Sequence, residues 1–169
     1  ARTGEALSYP ALWPMQDNET WYVRMARPSW ADMAGTLVDN YALTRGATGA
    51  RQEVYFISGS RTLAVQLYDG SSGVSADVSA AIPAGSGGFL EAAIQFSSMK
   101  TAGNVRLDVG GGYGGYSGTT TNAIASLTPT FVPGDLARSL GNQLRGGLTD
   151  LVIVAGLQSL ATCRGLAGR

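Results

Sequence analysis

Leu136 to Ala155 reads LARSLGNQLRGGLTDLVIVA, and the interpretation of this stretch decides the fold. A short segment ending at Leu140-Gly141 leads into a polar connection, Asn142 to Gly147, and then into Leu148 to Ala155, which is apolar enough to cross the middle of a sheet. The plain reading is strand, turn, buried strand. Upstream the same pattern recurs in weaker form. Thr20 to Ala26 alternates Trp21, Val23 and Met25 with Tyr22, Arg24 and Ala26, the period of two of a half-buried strand, and Pro28 ends it. Gly35 to Leu43 is a second strand, the region from Gly46 to Gly49 turns the chain, and Gln52 to Ser58 is a third. Past the turn signal Gly59-Ser60, Thr62 to Tyr68 sets Leu63, Val65 and Leu67 on one side; Asp69-Gly70 turns again and Val74 to Ala80 pairs back. Phe89 to Ser97 is rich in helix formers, yet Leu90, Ala92, Ile94 and Phe96 alternate, so a strand is preferred, with Asn104 to Val109 as its hairpin partner. Gly110 to Gly118 (GGGYGGYSG) is too glycine-rich for a strand interior, and residues 156–169 end in a short helix.

Strands separated by turn chemistry about every ten to fifteen residues predict an all-β fold, an antiparallel two-sheet β-sandwich (jelly roll) with at most a short C-terminal helix. At 169 residues the chain forms one domain, large enough to bury roughly two thirds of its unfolded surface. Residues 1–19 read as an irregular lead-in or linker, 20–157 as the sandwich and 158–169 as a C-terminal tail. Leu63, Val65, Leu67, Leu151 and Ile153 are the expected core, so Leu151→Ala is expected to cost about 2 to 5 kcal/mol.

Composition removes whole classes of chemistry. The chain has no histidine, hence no histidine base, ligand or triad member, and its one cysteine, Cys163, forms no intrachain disulfide and reads as an inert apolar residue. Twelve basic residues balance twelve acidic ones without runs of either sign, so no footprint for nucleic acid or an anionic membrane is present, and neither is an expected partner. No window approaches the ~20 apolar residues of a membrane span, and the N-terminus lacks the pattern of a signal peptide.

The order of segments resembles the laminin G-like, concanavalin A-like jelly rolls. The family's W-x-V strand followed by Pro is similar to Trp21-Tyr22-Val23 with Pro28, and its strand ending in D-G to Leu63 to Leu67 with Asp69-Gly70. Its V-R-L-x-V-x-G hairpin is similar to Val105 to Gly111, and its closing L-G…G-x-x-x-D-x-x-I to Leu140-Gly141, Gly146, Asp150 and Ile153. The likeness covers roughly residues 20–157. Two features depart from it: Gly87-Gly88 stands where the family often has Trp and His, and the E-x-D-x-E triplet of the glucanase branch is absent.

Candidate sites follow. Glycoside hydrolysis needs two carboxylates across the scissile bond; Glu53 and Glu91 are the glutamates placed on strands, and both are expected to face solvent. The resemblance implies calcium as the candidate cofactor, with Asp69, Asp108 and Asp150 as donors, whereas turn capping is the plainer account of these aspartates. The glycine loop lacks the Lys-Ser/Thr of a phosphate loop; it is expected to be a mobile surface loop presenting Tyr113 and Tyr116 to a sugar or protein, with a flexible turn bearing partly packed tyrosines as the alternative. Trp13 and Trp30 are further candidates for ligand binding, while Trp21 belongs to the core. The expected function is a non-catalytic module that recognises a surface ligand, most plainly a glycan, within an extracellular or virion-borne appendage or fibre. A structural subunit, such as a capsid-decorating or fibre protein contacting copies of itself or other virion proteins, is the alternative, and a glucanase-type hydrolase a weaker one.

Overall fold

Strands with one apolar side must hide it, and this chain does so by laying two antiparallel sheets face to face. The computed structural model describes residues 9–10, 14–26, 40–46, 49–57, 60, 62–71, 75–82, 88–124, 130–132 and 148–169. The elements are β1 (Tyr9–Pro10), β2 (Glu19–Ala26), β3 (Asn40–Gly46), β4 (Arg51–Phe56), β5 (Thr62–Tyr68), β6 (Ser75–Ala81), β7 (Phe89–Ser97), β8 (Asn104–Asp108), β9 (Thr130–Val132), β10 (Leu148–Ala155) and α1 (Leu160–Leu166). A six-stranded sheet runs β1-β9-β3-β4-β5-β6, and a four-stranded sheet runs β10-β2-β7-β8. Among the described residues the fold is the all-β jelly-roll sandwich that the strand pattern predicts, with a short C-terminal helix.

Alternation decides what lies between the sheets. Trp21, Val23 and Met25 of β2, Leu90, Ala92, Ile94 and Phe96 of β7, and Val105 and Leu107 of β8 meet Leu43, Val54, Phe56, Leu63, Val65 and Leu67 from the facing sheet in one buried cluster. Trp21 and Phe96 pack ring against ring at 4.9 Å between centroids. Phe89–Ser97 is a strand, as its alternation predicts against its helix-forming composition, because the sandwich offers a place to bury one side of it.

Four expectations change. The strand expected over Gly35 to Leu43 is described from Asn40 and runs past its expected end to Gly46, with Leu43 facing the core and Gly46 closing it at φ +118°, a conformation that favours glycine; residues 35–39 lie outside the described residues. A Cβ at Gly46 would sit 2.5 Å from the Ala50 carbonyl oxygen. Among the described strands, β10 does not lie in the middle of its sheet: it is the outermost and pairs with β2, with a register shift between Leu148 and Asp150. Leu151 and Ile153 therefore pack on the core while staying partly exposed, unlike the fully buried Leu63, Val65 and Leu67. The first arm of the expected closing hairpin, 136–147, lies outside the described residues. Finally, Glu53 does not face solvent: it is buried, 2.8 Å from Arg51 in an ion pair. The N-terminal stretch contributes β1, which pairs with β9, and the stretch from Pro14 leads into Glu19, the first residue of β2.

Glu19 shares the inward side of β2 with Trp21 and is itself buried. Its Oε1 accepts hydrogen bonds from Arg45 Nη1 (2.8 Å), Trp21 Nε1 (2.9 Å) and Gln52 Nε2 (3.0 Å), and its Oε2 accepts from the Gln16 backbone N–H (3.2 Å). Arg45 and Gln52 belong to the opposite sheet, so a charged pair with both side chains fully buried ties the two layers together.

Candidate functional site

Strand register arranges the outer face of the four-stranded sheet in rows. Asp150, Arg24 and Glu91 form one row; Val152, Tyr22, Ala93 and Asp108 form the next; Val154, Thr20, Gln95 and Arg106 form the third. The first row is a charge ladder. Arg24 lies 3.6 Å from both Glu91 and Asp150, Glu91 also accepts from Arg164 at 2.7 Å, and Asp150 accepts from Arg169 at 3.2 Å. Apart from Asp108 at its end, the middle row offers Val152, Tyr22 and Ala93 to α1, whose Leu160 and Cys163 are buried against Tyr22 and Ala93. Ser159 caps that helix by accepting from the Thr162 N–H. Burial pushes the Cys163 thiol up, in keeping with the inert role expected of it.

The third row carries the candidate site. Thr20 and Gln95 hold the segment that precedes α1: Thr20 Oγ1 accepts from the Gln158 N–H at 2.9 Å, and Gln95 Nε2 donates to the Gln158 carbonyl at 2.7 Å. Beside them the glycine loop folds back along β8. Asp108 Oδ1 accepts the N–H groups of Gly110 (2.7 Å) and Gly112 (3.0 Å), both at positive φ, and so shapes the turn. Gly114 N–H then donates to the Leu107 carbonyl at 3.2 Å and Ser117 N–H to that of Val105 at 2.8 Å. The loop is docked rather than free, and it occupies the backbone groups that β8, an edge strand, would otherwise leave unpaired.

Docking separates the two tyrosines. Tyr113 packs against the cluster under α1, and its hydroxyl donates to the Gln158 carbonyl at 2.6 Å, whereas Tyr116 is 45% exposed. The Arg106 guanidinium lies over both rings, 4.7 Å from the Tyr113 centroid and 4.6 Å from that of Tyr116, and its Nε donates to Gln95 Oε1 at 2.5 Å. Such contacts hold an arginine plane in place while leaving its edge open.

Burial, reinforced by the hydrogen bond to Glu91, pushes the Tyr22 phenol up to about 12, and burial raises Tyr113 as well. Both folded values exceed the ordinary one, so the protonated phenols favour the fold below the ordinary tyrosine value, and this contribution is lost as pH rises through the raised values. In an absorbance titration, Tyr22 and Tyr113 are expected to ionise above the ordinary tyrosine range and so to contribute a late phase. The change Tyr22→Phe together with Tyr113→Phe should abolish the late phase; a late phase that survives the double variant would contradict this.

The remaining candidates sit apart. Asp69 Oδ1 accepts from the N–H and hydroxyl of Ser71, and Oδ2 accepts from the Asn122 N–H; the Ser71 hydroxyl is the chief reason its carboxyl is held below the usual range. Burial would raise Asp150, but hydrogen bonds from Thr149 and Arg169 and the charges of Arg169 and Arg24 outweigh it and hold that carboxyl down. Asp69, Asp108 and Asp150 are each taken up by N–H, hydroxyl or guanidinium donors, and no group of three His, Cys, Asp or Glu that could hold a metal occurs among the described residues. The structure therefore does not assemble them into a calcium site. Glu53 alternates outward from Val54 on the six-stranded sheet and Glu91 outward from Leu90 on the four-stranded one, so they stand on opposite outer faces and cannot flank one bond. Trp13 and Trp30 lie outside the described residues. No helix among the described residues is long and apolar enough to cross a membrane. Sequence reasoning passed over Arg106, Gln95 and Gln158; the outward phase of Arg106 and Gln95 was readable, but the return of the loop was not.

No protein-family model matches the chain, and no curated protein matches it in sequence. Among solved structures it is similar to domains LG4-5 of the mouse laminin alpha1 chain, with TM-score 0.61 and 10% identity over 92% of this chain and 40% of that one. It is also similar to the binding domain of botulinum neurotoxin serotype D, with TM-score 0.64 and 11% identity over 96% of this chain and 38% of that one. A third similar structure is Ruminococcus gnavus IT-sialidase CBM40 bound to alpha2,3 sialyllactose, with TM-score 0.51 and 11% identity over 89% of this chain and 82% of that one. The chain thus spans about two fifths of the length of the laminin and neurotoxin structures. At such identities the likeness is one of fold.

Proposed function

We propose that the chain is a non-catalytic recognition module that binds a glycan on the outer face of its four-stranded sheet, within an extracellular or virion-borne assembly such as an appendage or fibre. The observation that carries this reading is Tyr116, a large ring 45% exposed on a loop that is docked against β8. Sugars offer C–H faces that pack on aromatic rings and hydroxyls that suit nearby polar groups, and a pre-positioned ring loses little entropy on binding. A structure of similar fold bound to alpha2,3 sialyllactose supports the choice of a sugar over other ligands.

On a glycan array followed by titration of the best binder, Tyr116→Ala is expected to weaken binding roughly tenfold or more, the scale of an aromatic anchor. Its melting temperature should stay near that of the wild type, because the residue is exposed. By contrast, Tyr113→Ala should melt several degrees lower, since that ring is packed under α1. Unchanged glycan affinity in Tyr116→Ala would remove this face as the site.

A further inference from the structure

We propose that the sugar bound at this face carries a carboxylate, and that the two Nη groups of Arg106 receive it. The inference rests on the glycan reading and narrows it to a ligand class. Among the described residues, Arg24, Arg45, Arg51, Arg164 and Arg169 each have a carboxylate within ion-pair distance. Arg106 is the described arginine without one. Its neighbour on the same side of β8, Asp108, turns its Oδ1 to the loop amides of Gly110 and Gly112 instead. Only Nε of Arg106 is bonded within the described protein, to Gln95, and neither Nη is among the buried atoms lacking a partner, so both reach solvent.

An uncompensated guanidinium on a structured face calls for an anion, and its shape selects which. Two Nη groups side by side match the two oxygens of a planar carboxylate in a bidentate pair. The fork is held in advance by the Tyr113 and Tyr116 rings and by Gln95, which is fixed in turn by the Gln158 carbonyl. Little side-chain freedom remains to be lost when a ligand arrives. Tyr116 then supplies the stacking surface for the ring that bears the carboxylate.

The test is a calorimetric titration of the whole chain with matched sugars that differ in the carboxylate: alpha2,3-sialyllactose against lactose, and trigalacturonate against its methyl ester. In at least one pair the acidic member is expected to bind about 10- to 100-fold tighter, the range of a hydrogen bond to a charged group, and to weaken as salt is raised. Arg106→Gln should abolish that preference, bringing the acidic and neutral members of the pair to equal affinity. Arg106→Lys, which keeps the charge and loses the fork, should retain a small part of it. Equal affinity within both pairs, lost in Tyr116→Ala, overturns the carboxylate and leaves the glycan reading standing. A preference that persists in Arg106→Gln assigns the anion to another residue and also overturns the inference. Absence of binding by every probe overturns both.

Discussion

Glu19→Ala is expected to destabilise the fold by about 3 to 5 kcal/mol, the cost of breaking a buried ion pair by removing one partner. The carboxylate receives Arg45, Trp21 and Gln52 at one oxygen between the sheets, and its loss would remove the carboxylate 2.8 Å from the buried Arg45 charge together with three hydrogen bonds to that oxygen. A loss of that size is a large fraction of the roughly 5 to 15 kcal/mol that holds a domain together, so the variant is expected to be partly unfolded at 37 °C. Removing both charges, Glu19→Leu with Arg45→Met, should recover most of the stability, since apolar replacements of a buried pair are often neutral. Urea titrations of the single and double variants decide the matter. A single-variant loss below about 1 kcal/mol, or a double variant worse than the single one, would show that the pair does not link the sheets energetically.

The second large effect separates a central strand from an edge strand. Leu63→Ala, on β5, an interior strand flanked by β4 and β6, is expected to cost about 2 to 5 kcal/mol, because the side chain is fully buried in the cluster that both layers form. Leu151→Ala, on the edge strand β10, should cost clearly less than Leu63→Ala, because part of its surface is already in water and neighbouring chains can relax into the space. Denaturant midpoints at unchanged slope give both numbers. Equal losses at the two positions would mean that β10 is as deeply packed as β5, contrary to its place in the sheet.

The candidate site was legible only in part. The glycine loop, its tyrosines and the outward phase of Arg106 can be read from residue types and a period of two, but Tyr113 and Tyr116 look alike in sequence and end differently in space. One is drawn under α1 by the Gln158 carbonyl; the other is left out, because the loop docks on β8 through backbone groups that carry no residue identity. Asp69 and Asp108 reveal their turn-capping role from the Asp-Gly and Asp-x-Gly contexts, whereas the pairing of Asp150 with Arg169, nineteen residues on, depends on where α1 comes to rest.

By itself, the sequence determined the fold class, most strand positions and the inward residues of β2, β5, β7 and β8, because alternation and turn chemistry act over a few neighbouring residues. It also determined that this stretch of chain holds no histidine and no pair of cysteines to join within itself. Tertiary structure alone decided that β10 is an edge, that Glu19 and Arg45 meet between the layers, and that Arg106 keeps no carboxylate while the other described arginines each find one. These depend on which strand lies beside which and on pairings such as Glu19 with Arg45, 26 residues apart, and Glu91 with Arg164, 73 residues apart. Periodicity fixes which side of a strand is apolar, but partners so distant are selected by register and sheet order, which no local pattern encodes.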